Sequence, residues 1–238
     1  MGQTLSVIMP AYNEAAYVGN ILERLLDVKL PYGMEMEVVV VDDCSTDATT
    51  EKVKEFVKAH GKGRVKLLRH RRNCGKGMAI RTGLERVSGE YVVIQDADEE
   101  YNPEDFKAMC KKMVEEDLDV LYGSRYLRTG LRPYAYKTFY IGTRLLSRVV
   151  NLLYSQHITD EATCYKMFRT QLLRDLRLEC QGFEFCPEVT AKVGRRGIKI
   201  EEVPISYAPR TVEEGKKIGW RDGLVALWTL LKYRWKKL

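Results

Sequence analysis

The chain has 238 residues, 45% of them hydrophobic and 30% charged, which suits one large α/β domain or two small ones with ample core material. No run approaches the roughly 20 apolar residues of a membrane-spanning helix. Six cysteines make no Cys-x-x-Cys pair and none of the three histidines neighbours a cysteine at zinc-ligand spacing, so they read as reduced thiols of a cytosolic protein. The formal net charge of +6 implies an anionic partner: nucleic acid, a phosphorylated substrate or an anionic membrane. The opening run Leu5 to Pro10 is too short for a leader, so any membrane contact is expected to be peripheral.

Leu5-Ser6-Val7-Ile8-Met9-Pro10 is a short apolar run closed by proline, hence a strand. After it, Asn13 or a following residue can cap a helix carrying Val18, Ile21, Leu22, Leu25 and Leu26 at helical spacing, broken by Pro31-Tyr32-Gly33. Glu37 to Val41 is a second strand, apolar enough to be buried on both faces as in a parallel sheet. It runs into Asp42-Asp43-Cys44-Ser45-Thr46-Asp47, whose last three residues are all good caps for a helix through Val53, Phe56 and Val57. Val65 to Leu68 is a third strand, followed by the basic loop Arg71 to Gly77 and a helix through Ala79, Ile80 and Leu84.

Tyr91 to Ile94 is the fourth strand, and it ends in Asp96-Ala97-Asp98-Glu99-Glu100, four carboxylates within five residues. Crowded carboxylates repel one another, and a hard divalent cation among their oxygens relieves that. A solvated acidic turn is the alternative for an isolated Asp-x-Asp. Pro103 opens a helix through Phe106, Met109 and Met113, and Val120 to Tyr122 is a fifth strand. This alternation predicts a doubly wound parallel sheet, with ligands at the carboxyl ends of its strands. No Gly-x-Gly-x-x-Gly and no P-loop motif is present, which argues against a dinucleotide oxidoreductase or a P-loop enzyme.

The second half is less regular. A basic, aromatic loop (Arg128, Arg132, Tyr134, Tyr136) precedes a helix predicted from about Thr138 to Tyr154, on which Arg144 and Arg148 share a face. Cys164 to Phe168 reads as a strand, Phe185 to Val193 as a short helix with Gly194 and Gly197 as stops, and Ile198 to Ile205 as another strand. The last helix, Trp220 to about Trp235, carries Leu224, Val225, Leu227, Trp228, Leu230 and Leu231 beside Lys232, Arg234, Lys236 and Lys237. It fits an interfacial helix, and equally a helix packed on the sheet with a basic end. No repeat or linker divides the chain. A nucleic-acid reading is not favoured, because no nucleic-acid module is recognisable.

Four ordered motifs resemble family 2 glycosyltransferases, inverting enzymes that use nucleotide sugars. They are Pro10-Ala11-Tyr12-Asn13-Glu14, Val41 to Asp47, Asn73-Cys74-Gly75-Lys76-Gly77 and Gln95-Asp96-Ala97-Asp98. Cys44 stands where the family usually has glycine, implying that the backbone there does not need positive φ. Gly123-Ser124-Arg125, Thr159-Asp160, Cys164 to Arg169, Glu202 to Tyr207 and Arg210…Gly215-Lys216 resemble, more narrowly, the polyprenyl-phosphate (dolichol-phosphate) mannose and glucose synthases. The mannose enzymes commonly carry Gln at the place of Glu100, so the sugar stays open.

The resemblance implies a single-domain GT-A fold: a Rossmann-like, mostly parallel central sheet flanked by helices, with a C-terminal amphipathic helix. Residues 1–125 would form the nucleotide-sugar half and 126–238 the acceptor half of one compact domain. It implies that Pro10, Tyr12, Asn13 and Glu14 line the nucleoside pocket, and that Val41 and Asp43 hold base and ribose. The alternative is that Tyr12 only packs, Glu14 caps a helix and Asp42 serves a structural role. Lys76 would face the diphosphate, and Asp96 and Ala97 the sugar nucleotide. Asp98 and Glu100 would ligate Mg²⁺ or Mn²⁺, while Glu99 faces solvent. Asp96, Asp98 and Arg125 would be catalytic, and Arg125, Arg210 and Lys216 would hold an anionic acceptor, as arginine's planar fork suits phosphate.

The expected reaction moves mannose or glucose from GDP-mannose or UDP-glucose to polyprenyl or dolichyl phosphate at the cytosolic face of a membrane. The alternatives are a family 2 enzyme with a saccharide acceptor, using Asp160 as base, or a non-catalytic nucleotide-sugar-binding partner subunit.

Overall fold

The β-branched runs near the start of the chain form the centre of the sheet. In the computed structural model, which describes residues 3–60, 63–128, 136–210 and 219–236, β1 (Thr4–Ala11) and β2 (Glu35–Asp42) are buried along nearly their whole length. They pair in parallel, Val7 opposite Val38 and Pro10 opposite Val41. β3 (Val65–Arg69) extends the sheet beyond β2, and β4 (Tyr91–Ile94) lies on the other side of β1, both parallel. Side chains covered on both faces explain why these strands are continuous apolar runs rather than alternating ones.

The sheet has seven strands in the order β3-β2-β1-β4-β6-β5-β7, with β5 spanning Val120–Ser124, β6 Lys166–Arg169 and β7 Glu201–Pro204. The mostly parallel sheet is as expected, with one departure from regular winding. β6 enters between β4 and β5 and is antiparallel to both, placing Phe168 opposite Val92 and Val120. The chain leaves β5 through the long helix α5 (Lys137–Tyr154) and returns from the opposite direction. Four residues of β6 carry no periodicity that could announce this reversal.

Helices α1 (Val18–Asp27) and α2 (Thr49–His60) pack on each other, and α3 (Lys76–Leu84) lies on β1 and β2. α4 (Phe106–Glu115) follows a 3-10 turn at Pro103–Asp105 and packs on β5. The short α6 (Thr170–Asp175) was not foreseen. α7 (Phe185–Arg195) packs on α8 (Trp220–Trp235), and both touch α5. Tyr233 docks α8, its hydroxyl reaching Glu188 at 3.0 Å and Glu179 at 3.2 Å. Only Ala226, Thr229, Leu230 and Tyr233 of α8 are buried, while Trp220, Leu224, Val225, Trp228 and Trp235 are exposed. Among the described residues no helix is long and apolar enough to cross a membrane. Arg132, Tyr134, Lys216 and Lys237 lie outside the described residues.

Candidate active site

The loops that follow β1, β2 and β4 lie along one rim of the sheet, because those strands run parallel. The loop after β1 is tied to the loop after β2. The Asn13 backbone N–H donates to Ser45 Oγ at 3.0 Å, Thr46 N donates to Asn13 Oδ1 at 2.8 Å, and Glu14 N donates to Thr49 Oγ1 at 2.9 Å. Asn13 therefore ties two loops together at φ 52° rather than capping α1, whose first N–H groups bond to Glu14 O. Tyr12 is half-buried at this rim, and Pro10 and Val41 are buried just beneath it.

Asp42 is fully buried and structural. It accepts from Ser45 N at 3.0 Å and from Thr50 Oγ1, and pairs with Arg69 Nε at 3.2 Å. Cys44 has φ 64°, contrary to expectation. The turn that brings Ser45 back onto Asp42 needs a left-handed residue, and a cysteine adopts it at a cost of about 1–2 kcal/mol. The carboxylate of Asp43 accepts from Cys74 N at 2.8 Å and Gly75 N at 2.7 Å, and meets His70 Nδ1 at 2.6 Å. It thereby fixes the loop that presents Lys76. Gly75 (φ 91°) is obligatory there, because a Cβ would run into the carbonyl of Gln181.

Lys76 Nζ lies 2.5 Å from Asp96 Oδ1. Burial alone would favour the neutral amine, but the Asp96 charge outweighs it and raises the pKa of Lys76. Ala97 is buried, and Asp98 is 6% exposed. Asp98 Oδ1 accepts from Glu100 N at 3.1 Å and Oδ2 from Arg210 Nη2. Arg210 also reaches Glu14 Oε2 at 3.4 Å, and its backbone N–H donates to Glu100 Oε1 at 2.7 Å. Arg210 Nε is buried with no partner among the described residues. Glu100 further accepts from Tyr207 OH at 3.0 Å. Glu99 is half-buried rather than solvent-facing, accepting from Asn20 Nδ2 at 2.8 Å, because the loop folds back onto α1.

Burial, then the neighbouring Asp96 and Glu100 charges, push the Asp98 carboxyl up to about 7 against the opposing pull of Arg210. The guanidinium thus does not fully compensate the acidic cluster. Asp98 and Glu100 are hard oxygen donors, and under-compensated carboxylates of this kind fit Mg²⁺ or Mn²⁺.

Arg125 is buried against Asp160, with Nε–Oδ2 and Nη2–Oδ1 both 2.7 Å and its backbone N–H 3.0 Å from Oδ2. Its guanidinium stacks 4.9 Å from the Tyr207 ring centroid. Glu202 holds the Asp160 segment by accepting from Thr159 N at 2.7 Å and Asp160 N at 3.0 Å. Sequence reasoning gave Glu202 and Tyr207 no role, although both lie in a motif it singled out. It also overlooked Tyr101, which joins Tyr207 in an isolated antiparallel bridge and accepts from Cys164 N at 3.0 Å. A cavity of about 520 Å³ opens beside Glu100, lined by Arg24, Glu99, Asn102, Arg128 and Tyr207 among others.

Solved structures with the same fold include the mannosyltransferase PcManGT of Pyrobaculum calidifontis, in complex with GDP-Man and Mn²⁺. It has a TM-score of 0.67 and 21% identity, covering 98% of this chain and 63% of that one. Glucosyl-3-phosphoglycerate synthase of Mycobacterium tuberculosis, with Mn²⁺, UDP and phosphoglyceric acid, matches at TM-score 0.71 and 18% identity over 100% of this chain and 80% of that one. Both support the GT-A assignment. Among curated relatives, a dolichol-phosphate mannosyltransferase of Pyrococcus furiosus is 30% identical over 218 residues, covering 90% of this chain and 59% of the relative. The low-salt glycan biosynthesis hexosyltransferase Agl6 of Haloferax volcanii is 30% identical over 232 residues, 92% of this chain and 52% of the relative. The chain thus spans little more than half the length of these relatives. The family model for glycosyl transferase family 2 matches residues 6–177, and the chain belongs to that family.

Proposed function

We propose that the chain is an inverting, metal-dependent hexosyltransferase that moves mannose or glucose from GDP-mannose or UDP-glucose to polyprenyl or dolichyl phosphate. The observation that carries this reading is the convergence of Asp98, Glu100, the Lys76–Asp96 pair and Arg210 on one rim of the sheet. Residues 1–125 serve the nucleotide sugar and 126–238 the acceptor. Asp43 and the loop Tyr12–Glu14 line the nucleoside side, and Lys76 faces the diphosphate.

Asp98 and Glu100 hold the Mg²⁺ or Mn²⁺ ion, which when bound supplies positive charge to the leaving diphosphate. The acceptor's phosphate oxygen attacks the anomeric carbon. The bond from that carbon to the diphosphate breaks, the nucleoside diphosphate leaves with the electron pair, and the anomeric centre inverts. The nucleophile is already an anion, so no general base is required. The chain must instead hold two anionic reactants close together. Arg125, fixed by Asp160 and Tyr207, and Arg210 supply cations for that task, with Lys216 as a third. The commitment of both Asp160 oxygens to Arg125 speaks against Asp160 as the base of a saccharide-acceptor reaction.

The exposed Trp220, Leu224 and Trp228 of α8, with Ile141 and Leu145 on α5, support peripheral seating on a membrane surface. The free state of all six cysteines supports the cytosolic face. Incubation with labelled GDP-mannose or UDP-glucose, dolichyl phosphate and Mn²⁺ tests the reading. Acid-labile lipid-linked hexose is expected. Transfer to a saccharide acceptor but to neither lipid phosphate would reject the acceptor assignment.

A further inference from the structure

The segment that follows β7 runs back along the loop that follows β4. Ser206 N donates to Asp105 Oδ2 at 2.7 Å, Ala208 N donates to Glu100 O at 2.8 Å, and Tyr207 between them forms the antiparallel bridge with Tyr101. The Tyr207 backbone is thus fixed on both sides, and its ring lies 5.1 Å from that of Tyr101. From this seat the side chain reaches two groups at once. Its hydroxyl donates to Glu100 Oε2 at 3.0 Å, and its ring faces the Arg125 guanidinium at 4.9 Å. On the transferase reading above, we propose that Tyr207 is a positioning residue that sets the metal-holding carboxylate and the acceptor-holding guanidinium relative to each other.

The two contacts do different things. The hydroxyl orients the Glu100 carboxylate, as a hydrogen-bond partner outside the ligand set does for a metal ligand. That bond is compatible with ligation, because each oxygen of an ionised carboxylate can accept twice. Here Oε2 takes the Tyr207 hydroxyl and Oε1 the Arg210 N–H. The ring face attracts the Arg125 cation and sets the plane of its fork. Asp160 holds the same guanidinium through Nε and Nη2, so carboxylate and ring fix it in two directions. Spacing matters because both reactants are anions, and misplacing a reacting group by about 1 Å can cost on the order of 100-fold in rate. A phenylalanine at this position would stack on Arg125 but leave Glu100 unoriented, and a leucine would do neither.

Mn²⁺ titration of the full chain, read by loss of the free-ion electron paramagnetic resonance signal, separates the two contacts when joined to transfer kinetics. The binding in question is that which Asp98→Asn abolishes. Expected is Mn²⁺ binding about tenfold weaker in both Tyr207→Phe and Tyr207→Leu. At saturating Mn²⁺, the KM for dolichyl phosphate should stay within about twofold in Tyr207→Phe and rise at least about fivefold in Tyr207→Leu, with the KM for the nucleotide sugar unmoved in both. Tyr207→Phe keeps the ring against Tyr101 and should fold, so its Mn²⁺ affinity decides even if leucine unfolds the segment. Wild-type Mn²⁺ affinity in Tyr207→Phe, or an acceptor KM raised equally in the two variants, would overturn the proposal and leave the transferase reading standing. A wild type that binds no Mn²⁺ would overturn both.

Discussion

Arg210 sits against Asp98 across 112 residues of sequence and bridges it to Glu14, so a side chain read as an acceptor ligand is also the counter-ion of the acidic cluster. Removing it exposes the repulsion among Asp96, Asp98 and Glu100. Arg210→Gln should lower the stability of the metal-free chain by about 1–3 kcal/mol, and Mn²⁺ should restore more of it than in the wild type. Thermal unfolding with EDTA and with Mn²⁺ measures this. An equal Mn²⁺-induced rise in Tm in both proteins would show that Arg210 and the metal do not share these carboxylates.

The loop that presents Lys76 depends on a residue without a Cβ. Gly75→Ala meets both a φ of 91° and the backbone oxygen of Gln181, and should cost at least about 2 kcal/mol in urea unfolding. Gly142→Ala is the control, since nothing lies within 4 Å of its added methyl on α5, and it should stabilise by about 0.5–1 kcal/mol. Similar effects of the two changes would contradict the packing described for this loop.

Glu37 gives the fold an acid-sensitive joint between β1, β2 and the turn before β4. Burial alone would raise its pKa, but hydrogen bonds from Ser6 Oγ, Ser88 N and Lys66 Nζ outweigh it and lower the value from the ordinary 4.5 to about 2. A depressed carboxyl stabilises the fold above its unfolded pKa, and that contribution is lost as pH falls from about 4.5 through about 2. With allowance for screening at the exposed Lys66 it amounts to about 2 kcal/mol. Glu37→Gln should remove that share of the acid sensitivity from urea midpoints measured across this window, and a curve parallel to the wild type would refute it.

Membrane seating makes a separate demand on α8. Leu224 and Trp228 are 59% and 66% exposed, so replacing both by serine should leave Tm within about 1 °C. The same change should weaken binding to anionic vesicles at least about tenfold, since each buried side chain of this size contributes roughly 1.5–3 kcal/mol. Unchanged co-sedimentation would remove α8 from the membrane contact.

The strands and the acidic cluster were legible because each is local: Val38 to Val41 and Val92 to Ile94 announce buried parallel strands, and Asp96 to Glu100 announces a charged loop. Other features depend on contacts remote in sequence. Nothing in Lys166–Arg169 says that it enters antiparallel between β4 and β5, because the residues it pairs with, Tyr91 to Val93 and Val120 to Tyr122, are remote in sequence. The pairing of Arg125 with Asp160 was within reach, since both lie in recognised motifs, but the departure of Arg210 toward Asp98 and Glu14 was not. Cys44 misled because glycine is the usual residue at positive φ, yet the bonds made by Asp42 and Ser45 hold a cysteine there. The contacts of His70 and of the Cys74 N–H with Asp43 were not legible, because Asp43 follows a different strand.

The most direct measurement is transfer of labelled hexose to dolichyl phosphate by the wild type and by Asp98→Asn, each stripped with EDTA and then given Mn²⁺. Expected is that transfer by the wild type stops with EDTA and returns with Mn²⁺, while Asp98→Asn stays lower by on the order of 100-fold with Mn²⁺ present. Transfer that survives EDTA, or an Asp98→Asn variant as active as the wild type, would contradict a metal-dependent transferase built on Asp98.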